Sequence, residues 1–74
     1  MMKSKAELIE HIENMNVGEE YFFNMSQEGG ALTKRLENGY DLYEIPIYGG
    51  AEQWSGHYTN DQIHDMVTEA LTWC

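Results

Sequence analysis

Apolar residues recur at helical spacing near both ends of the chain and crowd together without it in the middle. Leu8, Ile9, Ile12 and Met15 fall at i, i+1, i+4 and i+7, with Glu7, Glu10, His11 and Asn14 on the other side. That spacing predicts an amphipathic helix with one buried stripe. Ser4-Lys5-Ala6-Glu7 before it is a capping box, in which the serine oxygen accepts from the third helical N–H while the glutamate reaches back to the cap's own N–H. The helix is expected to start at Ser4 and to end among Asn14, Asn16 and Gly18, which tolerate left-handed conformations, with Gly18 as the exit point. At the other end Ile63, Met66, Val67, Ala70 and Leu71 lie at i, i+3, i+4, i+7 and i+8 behind a second cap signal, Thr59-Asn60-Asp61-Gln62. This is the better amphipathic helix, and Leu71 is expected on its buried stripe.

Between the helices the period changes. Tyr21-Phe22-Phe23-Asn24-Met25 is aromatic with no helical spacing and is followed by turn-forming residues 26–30. It reads as a strand whose Tyr21, Phe23 and Met25 share one face. Ala31 to Glu37 is a second strand, Asn38-Gly39 fits a type I′ hairpin turn, and Tyr40 to Tyr48 returns beside it. Gly49-Gly50 is a further turn before a fourth strand, Ala51 to Tyr58. Pro46 has no N–H to donate to a sheet ladder, so the third strand is expected either to stop pairing on one side there or to carry a bulge, with an edge position after Ile45. The predicted fold class is α+β: an antiparallel meander of three to four strands flanked by an N-terminal and a C-terminal helix, with one sheet face covered and the other partly open. The place of the first strand in the sheet stays open.

Length keeps this to one domain, 1–74, with no repeat and no linker. A chain of this size buries only about 60% of its unfolded surface, so its stability rests on a core dense in large apolar groups, or on a partner. The single cysteine, Cys74, has no partner in the chain, which suits a reducing compartment, and cytoplasm is expected. No run approaches the ~18 apolar residues of a membrane span, and Met1-Met2-Lys3-Ser4-Lys5 leads into mixed residues rather than a signal region. Thirteen carboxylates against four Lys and Arg give a formal charge of -9. A field of that sign disfavours direct binding to DNA, RNA or anionic lipid.

Tests for chemistry find nothing to build on. The chain lacks the phosphate loop, the dinucleotide fingerprint, the nucleophile elbow and the zinc helix motif. His11, His57, His64 and Cys74 do not stand at spacings that gather ligands around a metal, and Cys74 has no base held near it. No enzyme, no metal and no cofactor are expected.

Binding features stand out more clearly. Asp61, Asp65 and Glu69 recur every four residues, so on a straight helix they stack about 6 Å apart on the face away from the apolar stripe. Glu7, Glu10 and Glu13 add a second acidic group, with Glu19 and Glu20 close behind in sequence; Glu7 and Glu10 are its candidate contacts. A row of carboxylates can stand in for phosphates against a groove lined by Lys and Arg; the plain alternative is a solvated acidic face. Tyr40, Tyr43, Tyr48, Trp54 and Tyr58 are too many for two short helices to cover, and Tyr43 and Trp54 are candidates for an exposed interface. The alternative for these is cross-strand packing.

Short, acidic, aromatic-rich and without a catalytic set over all 74 residues, the chain resembles small bacteriophage-encoded inhibitors of host defence, the anti-CRISPR and DNA-mimic proteins. The resemblance lies in general character and carries no residue over. It implies stoichiometric action in the host cytoplasm on a basic protein or nucleoprotein complex. The alternative is a regulatory or assembly module, or a homodimer, that buries its aromatic sheet face.

Overall fold

The computed structural model describes residues 4–26, 29–46 and 51–73. The order is α1 (Lys5–Glu13), β1 (Glu20–Ser26), β2 (Gly29–Leu36), β3 (Gly39–Ile45), β4 (Gln53–Thr59), a 3-10 turn (Asn60–Gln62) and α2 (Ile63–Leu71). The four strands form one antiparallel sheet in the order β1-β2-β3-β4, so the fold is α+β and the first strand lies at the edge beside β2.

The capping box is present at α1. Ser4 Oγ accepts from the Glu7 N–H at 3.2 Å, and Glu7 Oε1 accepts from the Ser4 N–H at 3.0 Å. Leu8, Ile9, Ile12 and Met15 are all buried; the helix ends at Glu13 with Asn14 as its C-cap, so Gly18, at φ 93, is not the helix exit expected but lies in the turn before β1. On α2, Ile63, Met66, Val67 and Ala70 are buried. Leu71 is only half-buried, packed at the rim of the core; the stripe rotates off the sheet by the last turn. Both helices cover one sheet face, where they meet Phe23, Ala31, Tyr40 and Leu42. Thr33, also fully buried, donates to the Asp41 carbonyl at 3.2 Å and lies 3.5 Å from Met66 Sδ. Burial of this cluster is the main stabilising term, at about 25 cal/mol per Å² of apolar surface.

Three further expectations are corrected. The β1 face does not continue to Met25. A bulge after Phe23 breaks the register, and Asn24 takes φ 53, a left-handed conformation that Asn tolerates. Asn24 Nδ2 donates to the Ala70 carbonyl at 3.0 Å, tying the bulge to the end of α2. Met25 is thereby turned over Gly30: a Cβ on Gly30 would lie 2.2 Å from Met25 Sδ.

The hairpin turn is Glu37-Asn38 rather than Asn38-Gly39, because Gly39 is already paired with Leu36. Neither turn residue has positive φ, so the turn is not type I′. Gly39 serves the sheet instead, where it lies too close to the Tyr58 carbonyl for a side chain. Third, the expected long helix from Thr59 begins as a 3-10 turn, with Gln62 Oε1 accepting from the Thr59 N–H at 3.1 Å.

β3 ends at Ile45, and on the β4 side its last pair is Glu44 with Gln53, so pairing stops just before Pro46, as its missing N–H requires. The expected Gly49-Gly50 turn and Tyr48 lie outside the described residues.

Candidate functional site

Two surfaces carry the residues singled out by the sequence. The first is the outer side of the helices. Asp61, Asp65 and Glu69 are all exposed, but they do not form one straight ladder: Asp61 sits in the 3-10 turn, while Asp65 and Glu69 are one turn apart on α2. A 3-10 turn advances about 120° per residue against about 100° in an α-helix, which swings Asp61 off the line of the other two. Glu69 is held in place, its Oε2 accepting from Trp73 Nε1 at 3.2 Å. Asp65 and Glu69 lie near Tyr58 on β4.

Burial, then the nearby charges of Glu69 and Asp65, push the Tyr58 phenol above its ordinary pKa of 10.0. Tyr40 is raised too, by burial first; Arg35 works against the shift and Glu13 adds to it. Arg35 donates from Nη1 to the Tyr40 hydroxyl, with its guanidinium carbon 4.8 Å from the ring centre. A phenol whose folded pKa is raised stabilises the fold fully below pH 10 and loses that contribution as pH rises through the folded value. The expected result is a melting temperature that falls as the pH is raised above about 10, and falls less in Tyr58→Phe. Thermal melts followed by circular dichroism at pH 9, 10 and 11 check this, and a melting point that rises over that range contradicts it.

Glu7 and Glu10 lie on α1 with His11 and Asn14 around a shallow, solvent-open depression. Glu7 is occupied by the cap, and the His11 ring lies 4.1 Å from that of Tyr21, which stacks in turn on Phe23 at 6.0 Å. α1 therefore sits over β1 while Asp65 and Glu69 sit near β4, and the structure does not merge the two acidic groups into one patch. Among the described residues no three His, Cys, Asp or Glu side chains gather as a metal site.

The second surface is the sheet face turned away from the helices. Register across all four strands places Phe22, Leu32, Tyr43 and Trp54 in one row, because an extra residue in β4, Ser55, brings Trp54 opposite Tyr43. Phe22 and Trp54 at the ends are 56% and 62% exposed; Tyr43 is half-buried and Leu32 buried. Met25, 52% exposed, extends the apolar area over Gly30. The next row on this face is Glu20, Lys34, Asp41 and His57, with His57 Nδ1 3.1 Å from Asp41 Oδ1. Among the described residues, the carboxylates at strand positions of this face are Glu20 and Asp41.

Of the aromatics expected to be exposed, Trp54 is exposed and Tyr43 half so. Tyr40 is buried under the helices and Tyr58 half-buried on the same covered side. Met25 and Leu32 escape the sequence reading, since only the bulge and the register show where they point, and Phe22 is not singled out there either. The alternation of Phe22 against Tyr21 and Phe23 was the available signal. The chain matches no family model, no curated protein and no solved structure.

Proposed function

We propose that the protein is a non-enzymatic binding protein that occupies a basic, nucleic-acid-binding surface of a protein or nucleoprotein complex, in the manner of phage-encoded DNA-mimic inhibitors. The observation that carries this reading is the uneven placement of charge. The formal charge is -9, and exposed Asp61, Asp65 and Glu69 stand at the α2 side while the open sheet face holds few carboxylates in its strands. A one-sided acidic field attracts a basic groove, orients the encounter and repels nucleic acid. No catalysis, cofactor or membrane enters this reading, and no helix among the described residues is long and apolar enough to cross a bilayer. Action in the cytoplasm, that of a host cell if a phage encodes it, belongs to the same proposal.

Affinity capture from a bacterial lysate at low and high salt tests it. The expected capture is a basic protein or complex that leaves at high salt and is competed off by duplex DNA, since ionic contacts are screened beyond about 10 Å at 0.1 M salt. A captured partner that is acidic, or that stays bound regardless of salt and DNA, overturns it. The second reading, an assembly module, is favoured by the exposed Phe22 and Trp54 at the two ends of the row on the open sheet face.

A further inference from the structure

We infer that the open sheet face is a self-complementary dimer interface, occupied by a second copy of this chain. The inference stands apart from the acidic-surface reading and rests on the two cross-strand rows. Consider a two-fold axis parallel to the strands and midway between β2 and β3. It exchanges β1 with β4 and β2 with β3, and leaves each row at its own height along the strands. Phe22 then faces the partner's Trp54, and the half-buried Tyr43 lies over the partner's Leu32, which is itself already buried within its own chain. In the neighbouring row Glu20 faces the partner's His57, and Lys34 faces the partner's Asp41. Within these two rows, apolar positions lie opposite apolar ones, and Glu20 and Asp41 lie opposite His57 and Lys34.

Charge on the rest of the molecule points the same way. Two chains of formal charge -9 repel at long range, so they can meet only where the carboxylates are few. The strand positions of this face carry Glu20, Asp41 and Lys34, a formal sum of -1 with His57 neutral (two acids against one base). Face-to-face packing also directs the helices and their carboxylates outward, leaving both acidic sides free.

Size sets the kind of dimer. Four strands of about seven residues span roughly 19 by 23 Å, so a pair hides on the order of 900 Å² in projection, and more with side-chain relief. This is the low end of specific interfaces and suits a reversible dimer. Aligned sheets cross at about 30°, which displaces the edge strands more than the central ones, so the Lys34 and Asp41 contacts beside the axis are the best defined.

The test uses the whole chain with reductant present, so that Cys74 stays a thiol, in light scattering after size exclusion and in native mass spectrometry. The mass is expected to rise from 8.6 kDa toward twice that as concentration increases between about 1 µM and about 1 mM. Trp54→Ala, at an exposed side chain, should weaken association at least about tenfold without lowering the melting temperature. Lys34→Asp alone puts like charges together in both symmetry-related contacts, and so does Asp41→Lys alone. Each variant is therefore expected to be monomeric, whereas an equal mixture forms heterodimers, because each contact then pairs opposite charges. Circular dichroism confirms that each variant is folded before mixing.

The mixing result depends on contacts between chains and not on cross-strand pairing within one. A wild-type mass that stays at the monomer throughout overturns the inference. So does a dimer indifferent to Trp54→Ala, which places the interface elsewhere, or a mixture of folded charge variants that fails to associate.

Discussion

Leu42→Ala is expected to lower the melting temperature by about 12–24 °C, from a cost near 3 kcal/mol at roughly 4–8 °C per kcal/mol for a domain this small. Leu42 lies on β3, the strand between β2 and β4, and has no exposed surface. Its cross-strand neighbours on the covered face are Thr33 and Gly56. Gly56 has no side chain to move into the space left behind, so the cavity persists and its cost adds to the lost transfer energy. Leu71→Ala should cost less, since Leu71 is only half-buried at the rim. Thr68→Ala should cost least, because Thr68 is exposed and its hydroxyl donates only to the His64 carbonyl one turn back on α2. Thermal melts of the three variants check the order; equal shifts for Leu42→Ala and Thr68→Ala contradict the placement of the core.

The second large effect is expected at Gly39. A Cβ there would sit 2.2 Å from the Tyr58 carbonyl oxygen and 3.1 Å from Thr59 Cα, so the backbone of β3 or β4 must move. Overpacking of this kind costs about 1–3 kcal/mol, and here the displaced backbone leads straight into the 3-10 turn and α2. Gly18→Ala is the control. Its φ of 93 is strained for any side chain, yet nothing lies within 4 Å of its Cβ. Gly39→Ala is therefore expected to melt lower than Gly18→Ala and to slow less in amide exchange of Tyr58 and Thr59 than the wild type. Equal melting of the two variants would show that the close approach is not a constraint.

Much of the fold was legible in the sequence because it rests on local physics. The capping box at Ser4 and Glu7, the stripes of both helices and the stop before Pro46 each need only neighbouring residues to specify them. What escaped depends on distant parts of the chain. The hairpin turn moved one residue because Gly39 answers to β4, a strand about twenty residues away, and not only to the turn. Met25 left the covered face because Asn24 trades regular pairing for a bond to the end of α2.

The candidate surfaces divide in the same way. Spacing alone identified Asp65 and Glu69 as neighbours, whereas the 3-10 start of α2 that sets Asp61 apart has no separate signal in that spacing. Tyr43 and Trp54 could be singled out by composition. Their alignment with Phe22 and Leu32, and that of Glu20 with Lys34, Asp41 and His57, follows from register across a long connection and an extra residue at Ser55. Sequence periodicity does not specify either.

Neutralising the acidic side tests the proposed function most directly. Asp61, Asp65 and Glu69 are replaced by Asn, Asn and Gln, which keeps their size, and Glu69→Gln also keeps a carbonyl oxygen to accept from Trp73 Nε1. Affinity for the captured basic partner is then measured across a salt series, with Asp65→Asn alone as the intermediate case. The expected result is a folded triple variant that binds at least about tenfold more weakly, with a flatter dependence on salt because fewer ionic contacts remain to be screened. A folded triple variant with unchanged affinity and an unchanged salt slope would contradict the account.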